Sequence, residues 1–223
     1  MIRTSLFVLV ALLSFCFAKQ SHAQYHDFGT WTSVGLKQNL KGPFELGLEP
    51  QWRTDQGATR TADVIFDLGG TWKAKKWLSF SSTYRFGWQY QLDGFAEMRQ
   101  RMAFDVKLDR DWREIKFDFR VRYQSGRVAS TESFIDFRRA FRAKLGASRK
   151  VFKKTEASFA CETFFAAGEG TNELTDTRFK FELERKIKKR RYVSMGYQFQ
   201  NEWNTANPSF EHVLLLNFKM EFK

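Results

Sequence analysis

Three observations predict an all-β fold, an up-and-down antiparallel transmembrane β-barrel of 10–12 strands. Apolar and polar residues alternate with a period of two along most of the 223-residue chain, as expected for strands with one apolar and one polar face. Most alternating segments run for roughly 10 to 13 residues, whereas strands of soluble proteins average about five or six and about 9–11 tilted residues cross a bilayer. Compact basic connections also alternate with longer polar ones, which is typical of outer-membrane barrels.

The N-terminal segment is predicted to be a cleaved signal peptide that takes no part in the fold. Residues 1–23 begin with the basic Arg3, continue with the apolar run 6–18, and end in Ser21-His22-Ala23, which places small residues where a cleavage site needs them. The apolar run is too short to cross a bilayer as a helix. We therefore expect residues 24–223 to form one exported domain.

The two cysteines bear on how the exported domain is stabilised. Cys16 could be the lipidated residue of a lipoprotein signal, but Phe15 before it disfavours this because that position normally holds a small residue. Cleavage after Ala23 would leave Cys161 as the one cysteine of the mature chain. One thiol cannot form an internal disulfide, so the stability of the domain must come from elsewhere.

Eleven segments are predicted to be strands. In segment 77–91, for example, Phe80 and Trp88 lie on one parity and Arg85 lies on the other. The predicted segments are 28–40, 44–53, 61–72, 77–91, 97–109, 115–124, 134–147, 155–165, 177–187, 192–203 and 210–222. Because bacterial single-chain barrels have even strand numbers, counts of ten and twelve also stay open, as does the interpretation that residues 24–40 are not one plain lipid-facing strand.

The tryptophans favour a membrane barrel over a soluble β-sandwich or lipocalin-like barrel, whose strands also alternate. Three lie beside the basic turns, namely Trp72, Trp77 and Trp112. Three lie near the opposite strand ends, namely Trp52, Trp88 and Trp203, and Trp31 is expected among them. At about 3.3 Å per residue and roughly 45° of tilt, Trp77 and Trp88 lie roughly 25 Å apart along the membrane normal, the expected spacing of two aromatic girdles.

Positive charge is concentrated in one set of connections. The chain carries 37 Lys and Arg against 25 Asp and Glu, a formal net charge of +12. The five compact connections, 41–43, 73–76, 110–114, 148–154 and 188–191, hold 14 of these basic residues and two of the acidic ones. The basic residues therefore mark one membrane edge, where they would face anionic headgroups. Nucleic-acid binding is not expected, because the aromatic and basic residues are separated by the pleat of the strands.

The polar parity carries charges of both signs on successive strands, which predicts a network of ion pairs inside the barrel. The candidate lumen-facing residues are Arg85, Arg99, Arg101, Asp105, Asp118, Arg120, Arg122, Asp136, Arg138, Arg142, Glu156 and Glu162. Barrels of about eight strands are filled by side chains and those of about 16–18 strands are open, so we expect the network to plug most of the lumen. A conduit or binding lumen for small solutes, biased toward anions by its arginines, is the alternative.

Arg139 departs from the alternation. Strict alternation between Phe137 and Phe141 places it on the apolar, lipid-facing parity. An arginine there would cost roughly 2–4 kcal/mol near the bilayer midplane. We therefore predict a β-bulge near residues 137–140 that turns this side chain inward.

No catalytic site, metal site or cofactor is predicted. The mature chain has two histidines, His26 and His212, and a hydrolase site at the barrel rim would need His212 beside a nucleophile such as Ser209 or Ser133. No spacing rule supports such a pairing. Two distant histidines and one cysteine also give no metal-ligand pattern.

Four short aromatic-rich motifs carry a resemblance to a known family. They are Asp27-Phe28-Gly29-Thr30-Trp31-Thr32-Ser33-Val34-Gly35-Leu36, Leu46-Gly47-Leu48-Glu49-Pro50-Gln51-Trp52-Arg53, Thr83-Tyr84-Arg85 and Arg120-Val121-Arg122-Tyr123. Together they resemble the domain-of-unknown-function family 2490, small exported proteins that are common in Bacteroidota and are thought to form outer-membrane barrels. The resemblance covers nearly all of residues 24–223 and implies no reaction, ligand or catalytic residue. The alternating residues 214–222 also resemble the terminal strand signal of the barrel-assembly machinery, although Lys223 follows the last aromatic residue.

These observations predict an integral β-barrel of the cell outer membrane, as a monomer without cofactors. Its expected partners are outer-membrane lipids and, during biogenesis, the barrel-assembly machinery. A largely plugged, charged lumen would suit a structural role or passive passage of small solutes. The alternative is an outer-membrane enzyme that modifies lipid or lipopolysaccharide at the barrel rim.

Overall fold

A computed structural model describes residues 25–129, 136–167, 173–204 and 209–222, with the backbone alone described at residues 25, 128, 129 and 136–138. Every regular element in these ranges is a β-strand. The strands are β1 (Tyr25–Asn39), β2 (Phe44–Asp55), β3 (Arg60–Lys75), β4 (Leu78–Tyr90), β5 (Ala96–Trp112), β6 (Ile115–Ala129), β7 (Asp136–Phe152), β8 (Thr155–Ala166), β9 (Leu174–Lys188), β10 (Arg191–Glu202) and β11 (Ser209–Phe222). Among the described residues, no helix is long and apolar enough to span a membrane.

The eleven strands close into one barrel in which every strand pairs with its neighbours in sequence. Those pairings are antiparallel, and β1 closes the barrel against β11 in parallel, from Tyr25 opposite Ser209 to Gln38 opposite Phe222. With an odd number of alternating strands, the first and the last run in the same direction, so closure has to be parallel. The predicted all-β barrel is confirmed with eleven strands. Parallel closure accommodates the odd number, and β1 is one continuous strand.

The connections differ between the two ends of the barrel. At one end β3 and β4, β5 and β6, β7 and β8, and β9 and β10 are each joined by two residues, and β1 and β2 by four. We call this the short-turn end, and β11 also finishes there. At the other end, the long-loop end, the connections have four to seven residues. Arg113 and Arg190 have positive φ angles of 55° and 60° in two of the short turns, as tight hairpin turns require.

The apolar parity of the strands points outward. Leu46, Phe104 and Phe181 are each exposed, and all the remaining strands also carry exposed large apolar residues. Among the described residues, the buried apolar residues are only Ile65, Ala103, Phe164, Val213 and Leu215. The charged parity correspondingly faces the lumen, which is the reverse of the distribution in a soluble protein.

The predicted β-bulge near residues 137–140 is wrong. The ladder between β6 and β7 pairs residue for residue from Asp136 to Arg149 without a register shift. Arg139 therefore keeps the outward parity of Phe141, and its side chain is exposed. It lies four residues into the 17-residue strand β7, close to the long-loop end. Because this position is far from the middle of the strand, the arginine has no need to turn inward.

Candidate functional site

Two bidentate arginine–aspartate pairs link neighbouring strands inside the barrel. Arg85 on β4 faces Asp67 on β3, and its Nε and Nη2 donate to the two carboxylate oxygens at 2.6 and 2.5 Å. Arg122 on β6 donates in the same way to Asp105 on β5, at 2.5 and 2.6 Å. Asp105 is only 8% exposed. Two parallel charge-assisted hydrogen bonds make each pair a strong and directional link between strands.

Glu162 on β8 joins arginines from two other strands. Its carboxylate accepts hydrogen bonds from Nη2 of Arg120 on β6 at 2.6 Å, and from Nε and Nη2 of Arg142 on β7 at 3.0 and 2.8 Å. Lys144 on β7 lies 3.4 Å from a carboxylate oxygen of Asp118 on β6. Together with the Arg122–Asp105 pair, these contacts form a polar network over β5, β6, β7 and β8.

A stack of arginine and aromatic side chains from β1, β2, β7, β8 and β9 also lies in the lumen. The guanidinium carbon of Arg53 lies 3.9 Å from the centre of the Trp31 ring, and that of Arg178 lies 5.5 Å from the same ring. Arg178 also lies 4.3 Å from the centre of the Phe164 ring, which Arg142 approaches to 4.2 Å. Because a guanidinium can stack on an aromatic face, the rings stabilise arginines without one carboxylate for each of them. We call these five residues the arginine–aromatic stack.

Trp31 therefore does not lie where the sequence placed it. It was expected at the membrane interface, but its ring meets Arg53 in the lumen. In the β1–β11 ladder it lies opposite Leu215, which is 4% exposed and shares the inward face with the fully buried Val213. The signal was present in the sequence, because Trp31 shares its parity with the polar Ser33.

Two cavities lie on the side of the lumen formed by β1 to β6, and Arg85, which pairs with Asp67, borders both of them. The short-turn cavity has a volume of about 270 Å³ and the long-loop cavity about 240 Å³. Gly47, Gly69 and Ala103 leave room for the first because they occupy neighbouring inward positions with almost no side chain. Arg85 and Arg101 line both cavities. The lumen is thus divided into chambers on this side.

Ten of the twelve predicted lumen residues have described side chains, and all ten lie on the inward parity. The seven that take part in the pairs above are Arg85, Asp105, Asp118, Arg120, Arg122, Arg142 and Glu162. Of the others, Arg99 lies 3.5 Å from Glu97, Arg101 lines the two cavities, and Glu156 lines a third cavity of about 270 Å³ near the short-turn end. Asp136 and Arg138 lie in β7, but their side chains are outside the described residues.

Several lumen residues were not singled out from the sequence. They are Trp31, Arg53, Asp67, Lys144, Phe164 and Arg178. Asp67 and Arg178 occupy the same polar parity as the residues that were named, so parity alone could have found them. Phe164 could not have been found in this way, because a phenylalanine on a charged parity gives no sign that it will stack between arginines.

The six predicted interface tryptophans all have exposed side chains. They are Trp52, Trp72, Trp77, Trp88, Trp112 and Trp203. Trp77 and Trp112 adjoin short turns. Trp52 and Trp88 flank Val64, which lies in the half of β3 nearer the long-loop end. Their contact with a membrane interface stays a prediction.

The histidines lie on the outer face of the barrel near the long-loop end. Nδ1 of His212 is 2.5 Å from the hydroxyl of Tyr197, and its Nε2 is 3.5 Å from Nδ1 of His26. Ser209 has the opposite parity in β11 and donates to Glu202 at 2.6 Å, so it does not meet His212. Ser133 lies outside the described residues. Within the described part of the chain, no group of three or more His, Cys, Asp or Glu residues is placed to hold a metal ion.

The comparisons with known proteins yield a family without an activity. The sequence model of a family described as "Protein of unknown function (DUF2490)" matches residues 28–211, which is 184 of the 223 residues. No curated protein matches the chain. Neither finding assigns a reaction or a ligand to the lumen.

Proposed function

We propose that the chain, which belongs to the DUF2490 family of proteins of unknown function, is an integral β-barrel of the cell outer membrane. The ion-pair network and the arginine–aromatic stack obstruct its lumen. The protein therefore serves a structural role and lets at most small solutes pass. It is a monomer surrounded by outer-membrane lipids, exported with a cleaved signal peptide and inserted by the barrel-assembly machinery.

The outward-facing apolar surface is the observation that carries this proposal. Among the described residues, 38 large apolar side chains are exposed, against five buried apolar residues. Soluble monomers rarely expose contiguous apolar patches of more than a few hundred Å², whereas a membrane barrel needs an apolar band around its whole circumference. Closure of the barrel also leaves none of the eleven described strands with an unpaired edge, which a bilayer would not tolerate.

The charge distribution supports one orientation of the barrel. The short-turn end carries the basic connections, and β11 finishes there at Phe222. Outer-membrane barrels place their short turns in the periplasm. Lys and Arg at this end would then meet anionic headgroups of the inner leaflet, each contributing at most about 1 kcal/mol to membrane binding.

Membrane insertion can be tested with protein refolded in phospholipid vesicles. We expect the protein to float with the vesicles after alkaline carbonate treatment, and its mobility on a denaturing gel to change when the sample is boiled. Both results follow from a closed barrel whose apolar face contacts lipid. A protein that stays in the aqueous fraction and needs no detergent would contradict the proposal.

The obstruction of the lumen can be tested by conductance across a planar bilayer. We expect the wild type to conduct little, and the double variant Arg85→Ser with Asp67→Ser to conduct more, because Arg85 borders both cavities. The matched control is Arg60→Ser with Asp55→Ser, which removes a similar pair, joined at 3.0 and 2.5 Å, from the rim of the long-loop end.

Two conductance results would contradict the obstructed lumen. A large and steady conductance of the wild type would show an open pore. Equal conductance of the two double variants would show that the Arg85–Asp67 pair does not separate the cavities.

A further inference from the structure

We propose that the long-loop cavity binds a small oxyanion, a phosphate or a short carboxylate, with Arg101 as its main ligand. The cavity lies inside the barrel and extends along β2 to β6. The inference deepens the proposed function, since it names the solute that the lumen would hold. The inference rests on the proposed function only for the route by which the anion reaches the cavity, because the site itself is formed by described side chains.

The lining of the cavity is positive. Four arginines with the inward parity line it, namely Arg53, Arg85, Arg99 and Arg101, against the single carboxylate of Asp63. Counting also Asp67, which pairs with Arg85, and Glu97, which pairs with Arg99, the cavity keeps an excess of one positive charge. Such an excess in a confined space away from bulk water raises the local concentration of anions.

Among the described residues, Arg101 lacks the carboxylate partner that Arg85, Arg120, Arg122 and Arg142, the paired lumen-facing arginines of β4, β6 and β7, all have. In the ladder it lies between Arg85 on β4 and Gly126 on β6, so neither flanking residue can offer it a carboxylate. Within the described part of the chain it makes no hydrogen bond and no ion pair, whereas Arg85, Arg120, Arg122 and Arg142 all do. Asp67 attracts it electrostatically but is already bound by Arg85. A guanidinium in this position is stabilised by an anion from outside the chain.

The geometry of the walls suits an oxyanion. Gly87 and Gly126 place no side chain on the cavity wall beside Arg101. Gly87 cannot be replaced without a shift of the backbone, because a Cβ atom there would lie 2.3 Å from the carbonyl oxygen of Val64. The volume of about 240 Å³ holds a tetrahedral or planar oxyanion together with a few waters, each of which takes about 30 Å³. A guanidinium binds two oxygens of such a group at once, which a chloride ion cannot offer. The amide of Gln89 also lines the cavity and can donate.

The proposal is tested by calorimetric titration of the refolded barrel with sodium phosphate and with sodium succinate, at a constant ionic strength set with sodium chloride. We expect saturable binding of at least one of them. Binding of phosphate alone or of succinate alone would assign the ligand class, and equal binding of both would define a general oxyanion site. We expect Arg101→Gln to weaken the binding at least about tenfold, and Arg101→Lys to retain part of it because the charge remains.

The matched control is Arg120→Gln, which removes the same charge from the lumen outside the cavity and leaves Glu162 paired with Arg142. It should bind like the wild type. Absence of binding to a correctly inserted wild-type barrel would overturn the proposal, and so would equal weakening by Arg101→Gln and Arg120→Gln. Binding by a protein that fails the vesicle flotation test would instead contradict the membrane location and leave the anion site in place.

Discussion

An arginine placed on the outward face of β7 would report which medium surrounds the barrel. Leu145 lies near the middle of this 17-residue strand, is 58% exposed, and is flanked in the ladder by Phe119 and Cys161. In lipid, Leu145→Arg puts a charge close to the bilayer midplane, which lowers the free energy of unfolding by about 2–4 kcal/mol. At about 1.4 kcal/mol per factor of ten, the folding equilibrium constant falls roughly 30-fold to several hundred-fold. In water the same substitution would be close to neutral.

Val151→Arg is the matched control on the same strand. Val151 is also exposed, but it lies at the register shift between Lys150 and Phe152, six residues closer to the short turns. At about 3.3 Å per residue and roughly 45° of tilt, this is roughly 14 Å along the membrane normal, or about half the height of the apolar band. An arginine there reaches the interface, so the expected cost is only about 0–1 kcal/mol.

Both variants can be compared with the wild type by urea unfolding in phospholipid vesicles, followed by tryptophan fluorescence. We expect Leu145→Arg to be less stable than Val151→Arg by about 2–3 kcal/mol. Equal small losses for the two variants would mean that the apolar face of β7 meets water, and would refute the argument from the outward-facing residues.

Three further predictions concern the lumen and the outer face. Arg122→Gln alone should destabilise the barrel by about 3–5 kcal/mol because it leaves Asp105 buried and unpaired, and adding Asp105→Asn should recover most of that loss; strictly additive effects in a double-mutant cycle would argue against the pair. Trp31→Ala should lower the free energy of unfolding by about 3–5 kcal/mol, because it removes the ring between two guanidiniums. The outward-facing variant Trp52→Ala should lose less, and a similar loss in both variants would contradict the prediction. A fluorescent label on Cys161, whose ladder neighbours on β7 and β9 are apolar, should be quenched by lipid-attached nitroxides and not by aqueous iodide; the opposite result would place this face in water.

The uneven filling of the lumen follows from where large and small inward residues fall along the chain. On β2 to β5 the inward positions include Gly47, Gly69 and Ala103, whose small side chains leave the short-turn cavity open. On β8 and β9 they include Phe164 and Arg178, which reach inward far enough to stack. The positions of the cavities in an obstructed lumen therefore reflect residue size at each inward position, and not the number of strands alone.

Much of the fold could be predicted from the sequence because the determining pattern is local. The parity of a residue depends only on its own strand, so the alternation around Arg85 or Leu145 identifies the face before any partner is known. The approximate strand ends could be predicted for the same reason, since each basic turn follows directly on a strand. Trp31 was misplaced because its residue type was given more weight than its parity. The bulge at Arg139 was wrongly predicted because the predicted strand 134–147 placed this residue near its middle, whereas β7 runs from Asp136 to Phe152 and Arg139 lies near its end.

The sequence by itself determined the strands, their apolar and polar faces, the basic edge and most of the charged residues that face inward. Only the tertiary structure decided that β1 closes on β11 in parallel, that Glu162 is shared by arginines of two strands, and that Trp31 meets Arg178. These contacts join residues far apart in the chain, and their distances depend on the register of every strand pair between them. Arg101 shows the difference most clearly, since its charge and its face could be read from the sequence. That its neighbours across the ladder are an arginine and a glycine follows only from the register.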